Sequence, residues 1–164
     1  MRSKFCDVAR APNGIKWFVL SWREAAMDWA AFRGEWIGAT NPAKASSVSL
    51  RGELYANWEE YGIAAAPYGA DNGFHASASP VEACYERCLW LGAPVDDDPL
   101  MHAAKCAGVS REIVAEWCSG DAVIGETPVF DQVELLDTSV VLKAMAEAEA
   151  ASAGVAAPPS PPNA

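Results

Sequence analysis

Residues 72–86, NGFHASASPVEACYE, hold the side chain with the clearest chemical potential in this chain. His75 is one of two histidines in 164 residues, and it ends a short apolar run. A neutral imidazole is a nucleophile that can accept a phosphoryl group. The alternative is a structural histidine that caps a strand and bonds to the Glu86 carboxylate without turnover. A second histidine, His102, is expected on the surface or in packing.

Two cysteines and an acidic run are weaker candidates for a site. Cys84 and Cys88 stand one helical turn apart, which resembles half of a metal site, but no second pair accompanies them. We therefore expect them to pack as small hydrophobic side chains, and we expect no metal. The run VDDDP at 95–99 resembles a cation loop only faintly, and a solvated hinge is its default interpretation.

The composition limits the classes of partner. The formal net charge is −10, so no basic surface is expected to bind nucleic acid or an anionic membrane. The chain contains seven tryptophans, and tryptophan is frequent in cores and at protein interfaces. The first residues have no apolar signal-peptide core, and no run approaches the length of a membrane span. The sequence predicts a soluble, cytoplasmic protein.

The elements around His75 follow from hydrophobic patterns and turn residues. The β-prone run IKWFVLSW (15–22) predicts a buried strand, and a helix follows it to about Ile37. The run GFHAS (73–77) is compatible with a short second strand. Ser79, Pro80 and Glu82 then form a capping box for a helix that ends at Gly92.

The residues after this helix predict an added helical segment. Two short helices, an extended strap (127–136) and a last amphipathic helix follow the hinge at 94–100. The end of the chain is rich in alanine and proline and predicts disorder. The predicted organisation is a segment 1–14, a domain 15–93, a helical interaction arm 94–150 and a disordered tail 151–164.

Two stretches in order resemble a known family. IGATNPAKASSVSLRGEL (37–54) and NGFHASASPVEACYERCLWL (72–91) are similar to the second half of a nucleoside diphosphate kinase, and the resemblance runs from about Lys16 to Leu91. The family has an arginine six positions before the threonine of its first motif. Gly34 occupies that position here, and Arg33 is one residue out of register, which turns its side chain by about 100° on a regular helix.

The resemblance implies roles for six residues. His75 corresponds to the histidine that becomes phosphorylated, and Ser77 and Glu86 correspond to the residues that position it. The nucleotide-binding positions are Thr40, Arg51 and Asn72. If the site is active, the cofactors implied are Mg²⁺ and ATP; otherwise we expect none.

The resemblance also implies an incomplete fold. We expect an α/β (α+β) protein with a partial ferredoxin-like nucleoside diphosphate kinase fold. The first β-α-β of that fold is missing, and the chain adds a C-terminal helical extension. The segment that carries the phosphate-binding lysine and the base clamp of the family is therefore absent. Two strands with bare edges are marginal in water, so we expect other protein subunits to complete the sheet.

Kinase-like domains recur in ciliary and flagellar axonemes, often without an intact active site. The resemblance therefore favours a non-catalytic structural subunit of a larger assembly, with an axonemal location. The alternative is a nucleoside diphosphate kinase that is active only when a partner chain supplies the missing half.

Overall fold

A computed structural model describes residues 15–154 of the chain, with side chains over 15–152. The predicted segment 1–14 and the tail from residue 155 lie outside the described residues. The chain divides into two compact units, Met1–Ala76 and Ser77–Ala164. The sequence predicted a domain boundary after residue 93, whereas the two units divide after Ala76. Each unit is described separately below.

The first unit begins with a segment that the sequence predicted to be a buried strand. Residues 15–22 lie in neither helix nor strand, and the side chains from Ile15 to Leu20 are exposed. The prediction of a buried strand at 15–22 is therefore wrong for the described chain. The run has high β-propensity, but a strand also requires a neighbouring strand to pair with. The described residues of the first unit include no strand.

The first helix of this unit starts later than predicted, and its second half is a π-helix. Helix α1 is the single turn Trp29–Ala31, with Asp28 as its N-cap, and it continues into a π-helix at Phe32–Ile37. The Asp28 carboxylate accepts from the backbone N–H of Ala31 at 2.6 Å. Gly38 ends the π-helix at φ 94°, next to the predicted helix end at about Ile37.

The rest of the first unit is short helices and loops. A 3₁₀ turn covers Pro42–Lys44, and α2 covers Leu50–Ala56, with the Ser49 hydroxyl accepting from Gly52 N–H at 3.1 Å. A long connection follows to residue 76, with one isolated antiparallel bridge between Tyr68 and Asp71. The second predicted strand, at 73–77, is also absent from this structure.

The second unit begins with the helix whose start was clearest in the sequence. Helix α3 is Pro80–Leu91, and the Ser79 hydroxyl accepts from Glu82 N–H at 3.1 Å. The Glu82 carboxylate reaches back to the backbone N–H of Ala78, so the capping box is confirmed. Gly92 ends the helix in the left-handed conformation at φ 66°, as predicted.

Most of the remaining elements of the second unit are helices. A 3₁₀ turn lies at Val95–Asp97, and a two-strand antiparallel hairpin pairs Val123 with Pro128 and Ile124 with Thr127. The other elements, in chain order, are α4 (Pro99–Cys106), α5 (Arg111–Trp117), β1 (Val123–Ile124), β2 (Thr127–Pro128), α6 (Val129–Gln132) and α7 (Thr138–Gly154). The predicted strap at 127–136 is therefore partly helical, and the last helix continues to residue 154.

One hydrophobic core joins all the helices of the second unit. Val81 and Cys84 on α3 are fully buried, and so are Met101 on α4 and Val141 and Met145 on α7. The apolar stripe predicted for the last helix is thus buried inside this unit. Residues 94–150 pack against α3 and share its core.

The described chain is mixed in class, mostly helical with one small antiparallel sheet of two strands. Between residues 15 and 154, no helix has both the length and the apolar character needed to cross a membrane. The tryptophans follow no single pattern. Trp17, Trp36 and Trp90 are more than half exposed, whereas Trp117 is buried in the core of the second unit.

Candidate functional site

Arg51, a predicted phosphate ligand, is buried at the start of α2. Only 6% of its surface is exposed, and its guanidinium donates to the carbonyls of Gly38 and Phe74, both at 2.7 Å. The next residue, Gly52, lies against the backbone of Ser46, with which a Cβ at residue 52 would collide. Glycine therefore lets the first turn of α2 pack directly on the turn that precedes it.

The charge of Arg51 has no acidic partner among the described residues. Its Nε is buried without a hydrogen-bond partner there, and the described ion pairs do not include it. Burial lowers the pKa of the Arg51 guanidinium, and the positive charge of Arg33 lowers it further. A buried cation that is paired only with carbonyls retains the capacity to bind an anion.

Arg33 is the residue that the sequence analysis placed out of register. Its guanidinium donates to the carbonyl of Ala76, and its positive charge lowers the pKa of Arg51. The π-helix explains this placement. The Gly38 N–H bonds to the Arg33 carbonyl five residues back, so one extra residue fits into the turn. The position of Arg33 therefore differs from the one that regular helix spacing predicts.

The two arginines hold the backbone on both sides of His75. Arg51 binds the carbonyl before it, at Phe74, and Arg33 binds the carbonyl after it, at Ala76. The His75 side chain is exposed. The predicted nucleophile is therefore accessible in a segment whose backbone is fixed by two guanidinium groups. This arrangement belongs entirely to the first unit.

Asn72 and Thr40, the other predicted nucleotide-binding residues, are brought together. The Asn72 Nδ2 donates to the Thr40 carbonyl at 3.1 Å and to the Gly69 carbonyl at 3.4 Å. These two bonds use both N–H groups of the amide, so its carbonyl oxygen is the group that remains for a ligand. Asn72 thus ties the loop at 69–72 to the Thr40 loop.

Ser77 and Glu86, the predicted positioning residues, lie in the second unit and contact each other. The Ser77 hydroxyl donates to a Glu86 carboxylate oxygen at 2.6 Å. Both side chains are half-buried, and Glu86 lies on α3 as predicted. The resemblance implied that both residues position His75, and their contact with each other was not predicted.

Three cysteines of the second unit lie together: Cys84 and Cys118 are buried and Cys88 is half-buried, whereas Cys106 is exposed elsewhere in this unit. Cys84 is fully buried and hydrogen-bonded to Cys118, and that bond, with burial, raises the pKa of the Cys84 thiol. Burial likewise raises the pKa of Cys88 to about 11. Thiols with such pKa values are protonated at neutral pH and are poor nucleophiles. Sequence spacing did not indicate Cys118, which comes close only through the packing of α3 against the end of α5.

The run VDDDP is held by ion pairs. Arg87 on α3 binds the Asp98 carboxylate through two N–H groups at 2.7 and 2.9 Å, and Arg111 binds Asp96 in the same way at 2.6 and 2.8 Å. Asp98 also accepts from Leu100 N–H at 2.9 Å as the N-cap of α4. Two of the three aspartates therefore connect α3, α4 and α5.

Comparisons of the chain with models of known families, with curated proteins and with solved structures find no match.

Proposed function

We propose that this chain is a non-catalytic, nucleoside diphosphate kinase-like structural subunit of a larger protein assembly. In this proposal residues 15–93 form the later part of a ferredoxin-like kinase domain, without its first β-α-β, when another subunit supplies strands to pair with residues 15–22 and 73–77, which are not strands in the described chain. The ordered motifs around Thr40, Arg51 and His75 support this proposal, and so do the local contacts of the two units: Arg51 and Asn72 with their neighbours in the first, and Ser77 with Glu86 in the second.

The observation that carries the proposal is the uncovered apolar surface of the first unit. Among its described residues, only Phe32 and Ile37 are buried hydrophobic side chains. Such a small core is marginal for a compact unit, and large exposed apolar patches mark protein interfaces. Twelve large apolar or aromatic side chains of this unit are exposed: Ile15, Trp17, Phe18, Val19, Leu20, Trp36, Val48, Leu50, Tyr55, Tyr61, Ile63 and Tyr68.

A structural role predicts that the isolated chain does not turn over nucleotide. The test is incubation of the purified full chain with radiolabelled ATP, Mg²⁺ and GDP, followed by assays for acid-labile label and for GTP. We expect neither, and His75→Gln serves as the matched control. Steady GTP formation that disappears in His75→Gln would contradict the non-catalytic proposal.

The proposed location is the ciliary or flagellar axoneme, by analogy with kinase-like domains. The test is detergent extraction of ciliated cells that express the tagged full chain. We expect the chain in the detergent-insoluble axonemal fraction, released by high salt together with other subunits. Quantitative recovery in the detergent-soluble cell body fraction would contradict this location.

Nucleotide binding is a second candidate function, favoured by the unpartnered charge of Arg51 and the adjacent Arg33. A polyphosphate at this position would relieve the repulsion between the two guanidinium groups. Nucleotide binding here corresponds to the alternative in which a partner chain supplies the missing half of a kinase. The thermal unfolding of the full chain with and without ATP tests it, because a ligand at a hundred times its Kd stabilises by about 2.7 kcal/mol.

The matched variants for this binding test are Arg33→Ala and Lys44→Ala, which each remove one cation from the first unit. We expect ATP to raise the Tm of the wild type and of Lys44→Ala, and to have less effect on Arg33→Ala. Equal shifts in all three chains would show that the arginine pair is not the binding site.

A further inference from the structure

The last turn of α3, residues 88–91, carries a large aromatic side chain that is not covered. Trp90 is 71% exposed, and its neighbour Leu89 is 54% exposed. Tryptophan is on average a highly buried residue, and it is enriched among the residues that contribute most to protein binding. The exposed part of Trp90 corresponds to about 110–180 Å². This area is enough for one anchor residue, but it is much less than a whole interface.

The backbone of the same turn presents hydrogen-bond acceptors. The N–H groups of Gly92 and Ala93 both bond to the Arg87 carbonyl. Among the described residues, no backbone N–H outside α3 bonds to the carbonyls of residues 88–91. These carbonyls form the negative end of the helix dipole, and the last turn of α3 contains no basic residue to balance it. A cationic hydrogen-bond donor is therefore the group that this turn favours.

The second unit carries the entire net charge of the chain. Residues 77–164 contain fourteen acidic and four basic residues, a formal net charge of −10, whereas residues 1–76 contain eight of each. Three of the four basic side chains, Arg87, Arg111 and Lys143, are held in ion pairs within the unit. The second unit therefore has a large excess of negative charge, which attracts a basic partner and repels an acidic one.

We propose that the end of α3 is the docking point for an arginine in a basic segment of a neighbouring subunit. A guanidinium group is planar, so it can stack on the exposed indole of Trp90 and use its N–H groups for nearby carbonyls. Lysine has the same charge but not the planar fork of donors. A second copy of this chain is disfavoured as the occupant, because two chains of charge −10 repel each other. This inference rests on the proposed function, since it names a surface by which the structural subunit binds its neighbour.

Fluorescence anisotropy of labelled synthetic peptides, titrated with the full chain, tests this surface. The probes are three peptides of equal length in which leucine alternates with arginine, with lysine or with glutamate. We expect the arginine peptide to bind more tightly than the lysine peptide, and the glutamate peptide not to bind. Equal affinities for the arginine and lysine peptides, or binding of the glutamate peptide, overturn the proposal.

The variant Trp90→Ala separates docking at α3 from a general attraction to an acidic surface. We expect it to weaken binding of the arginine peptide by about 2–30-fold, the range that a cation–π contact gives, and Trp90→Phe to retain part of the affinity. The matched control is Trp36→Ala, which should leave the affinity unchanged, because Trp36 is 56% exposed but lies in the first unit. An affinity that Trp90→Ala leaves unchanged, or that Trp36→Ala lowers equally, overturns the proposal.

Sedimentation of the full chain alone tests a second copy as the occupant. We expect the wild type and Trp90→Ala to have the same mass at every concentration. Self-association that Trp90→Ala removes would assign this turn to a second copy and would overturn the proposal. Axonemal extraction of the full chain is a separate measurement, so a failure of this docking surface can be distinguished from a failure of the proposed function.

Discussion

The ion pair between Arg87 and Asp98 gives the sharpest prediction for the stability of the second unit. Asp98 is almost fully buried, with 1% of its side chain exposed, and Arg87 is 23% exposed. The carboxylate accepts two bonds from Arg87 and one from Leu100 N–H. Replacement of Asp98 by alanine removes all three bonds and leaves the Arg87 charge without its partner.

The expected change in the free energy of unfolding is the sum of two losses. The loss of an N-cap costs about 1 kcal/mol. Removal of one partner from a fully buried ion pair costs about 3–5 kcal/mol, and because Arg87 retains some contact with water we expect about 2–3 kcal/mol here. Asp98→Ala should therefore lower the free energy of unfolding by about 3–4 kcal/mol. For a unit of this size the change corresponds to a decrease in Tm of roughly 12–30 °C.

Chemical denaturation of the full chain, followed by far-UV circular dichroism, measures this loss. The matched control is Asp97→Ala, an exposed aspartate in the same turn, for which we expect a change within about 0.5 kcal/mol. Asp98→Asn and Arg87→Met, alone and together, complete a double-mutant cycle that isolates the pair. A coupling energy below about 0.5 kcal/mol would refute the reasoning that the pair connects α3 to α4.

Three further predictions test the packing. Gly52→Ala should destabilise the chain by about 1–3 kcal/mol in a thermal unfolding assay, because the added Cβ meets the backbone of Ser46. Gly34→Ala is the control and should be neutral or stabilising, because a Cβ there meets nothing within 4 Å. Ser79→Ala should cost about 1 kcal/mol through the lost cap of α3, measured by urea denaturation. Iodoacetamide should label the exposed Cys106 in the native chain and Cys84 only after denaturation, as mass spectrometry would show; early labelling of Cys84 would contradict its burial.

The sequence predicted the second unit well where the signals are local. The capping box at Ser79 and the left-handed glycine at Gly92 set both ends of α3, and α4, α5 and α7 formed where their patterns predicted helices. A helix satisfies its own backbone hydrogen bonds, so a cap and an apolar stripe are enough to specify it. The boundary between the two units after Ala76 was not predicted, because which residues share a core depends on contacts between residues far apart in the chain.

The candidate site was predicted in part. The motifs placed Thr40 and Asn72 in one predicted site, and a hydrogen bond joins these two residues. The contact between Ser77 and Glu86 was not predicted, because both residues were expected to position His75. The contribution of Arg33 could not be read. A sequence shows an extra residue, but only the folded backbone shows that a π turn contains it.

What the sequence alone determined is thus the helix α3 with both of its ends and the presence of α4, α5 and α7. The tertiary structure decided which apolar runs find a partner. Residues 15–22 were predicted to be a buried strand and the last helix to have an apolar face, yet only the face of that helix, with Val141 and Met145, is buried in the described chain. A strand depends on hydrogen bonds from a neighbouring strand, and no sequence pattern within a single run supplies that neighbour.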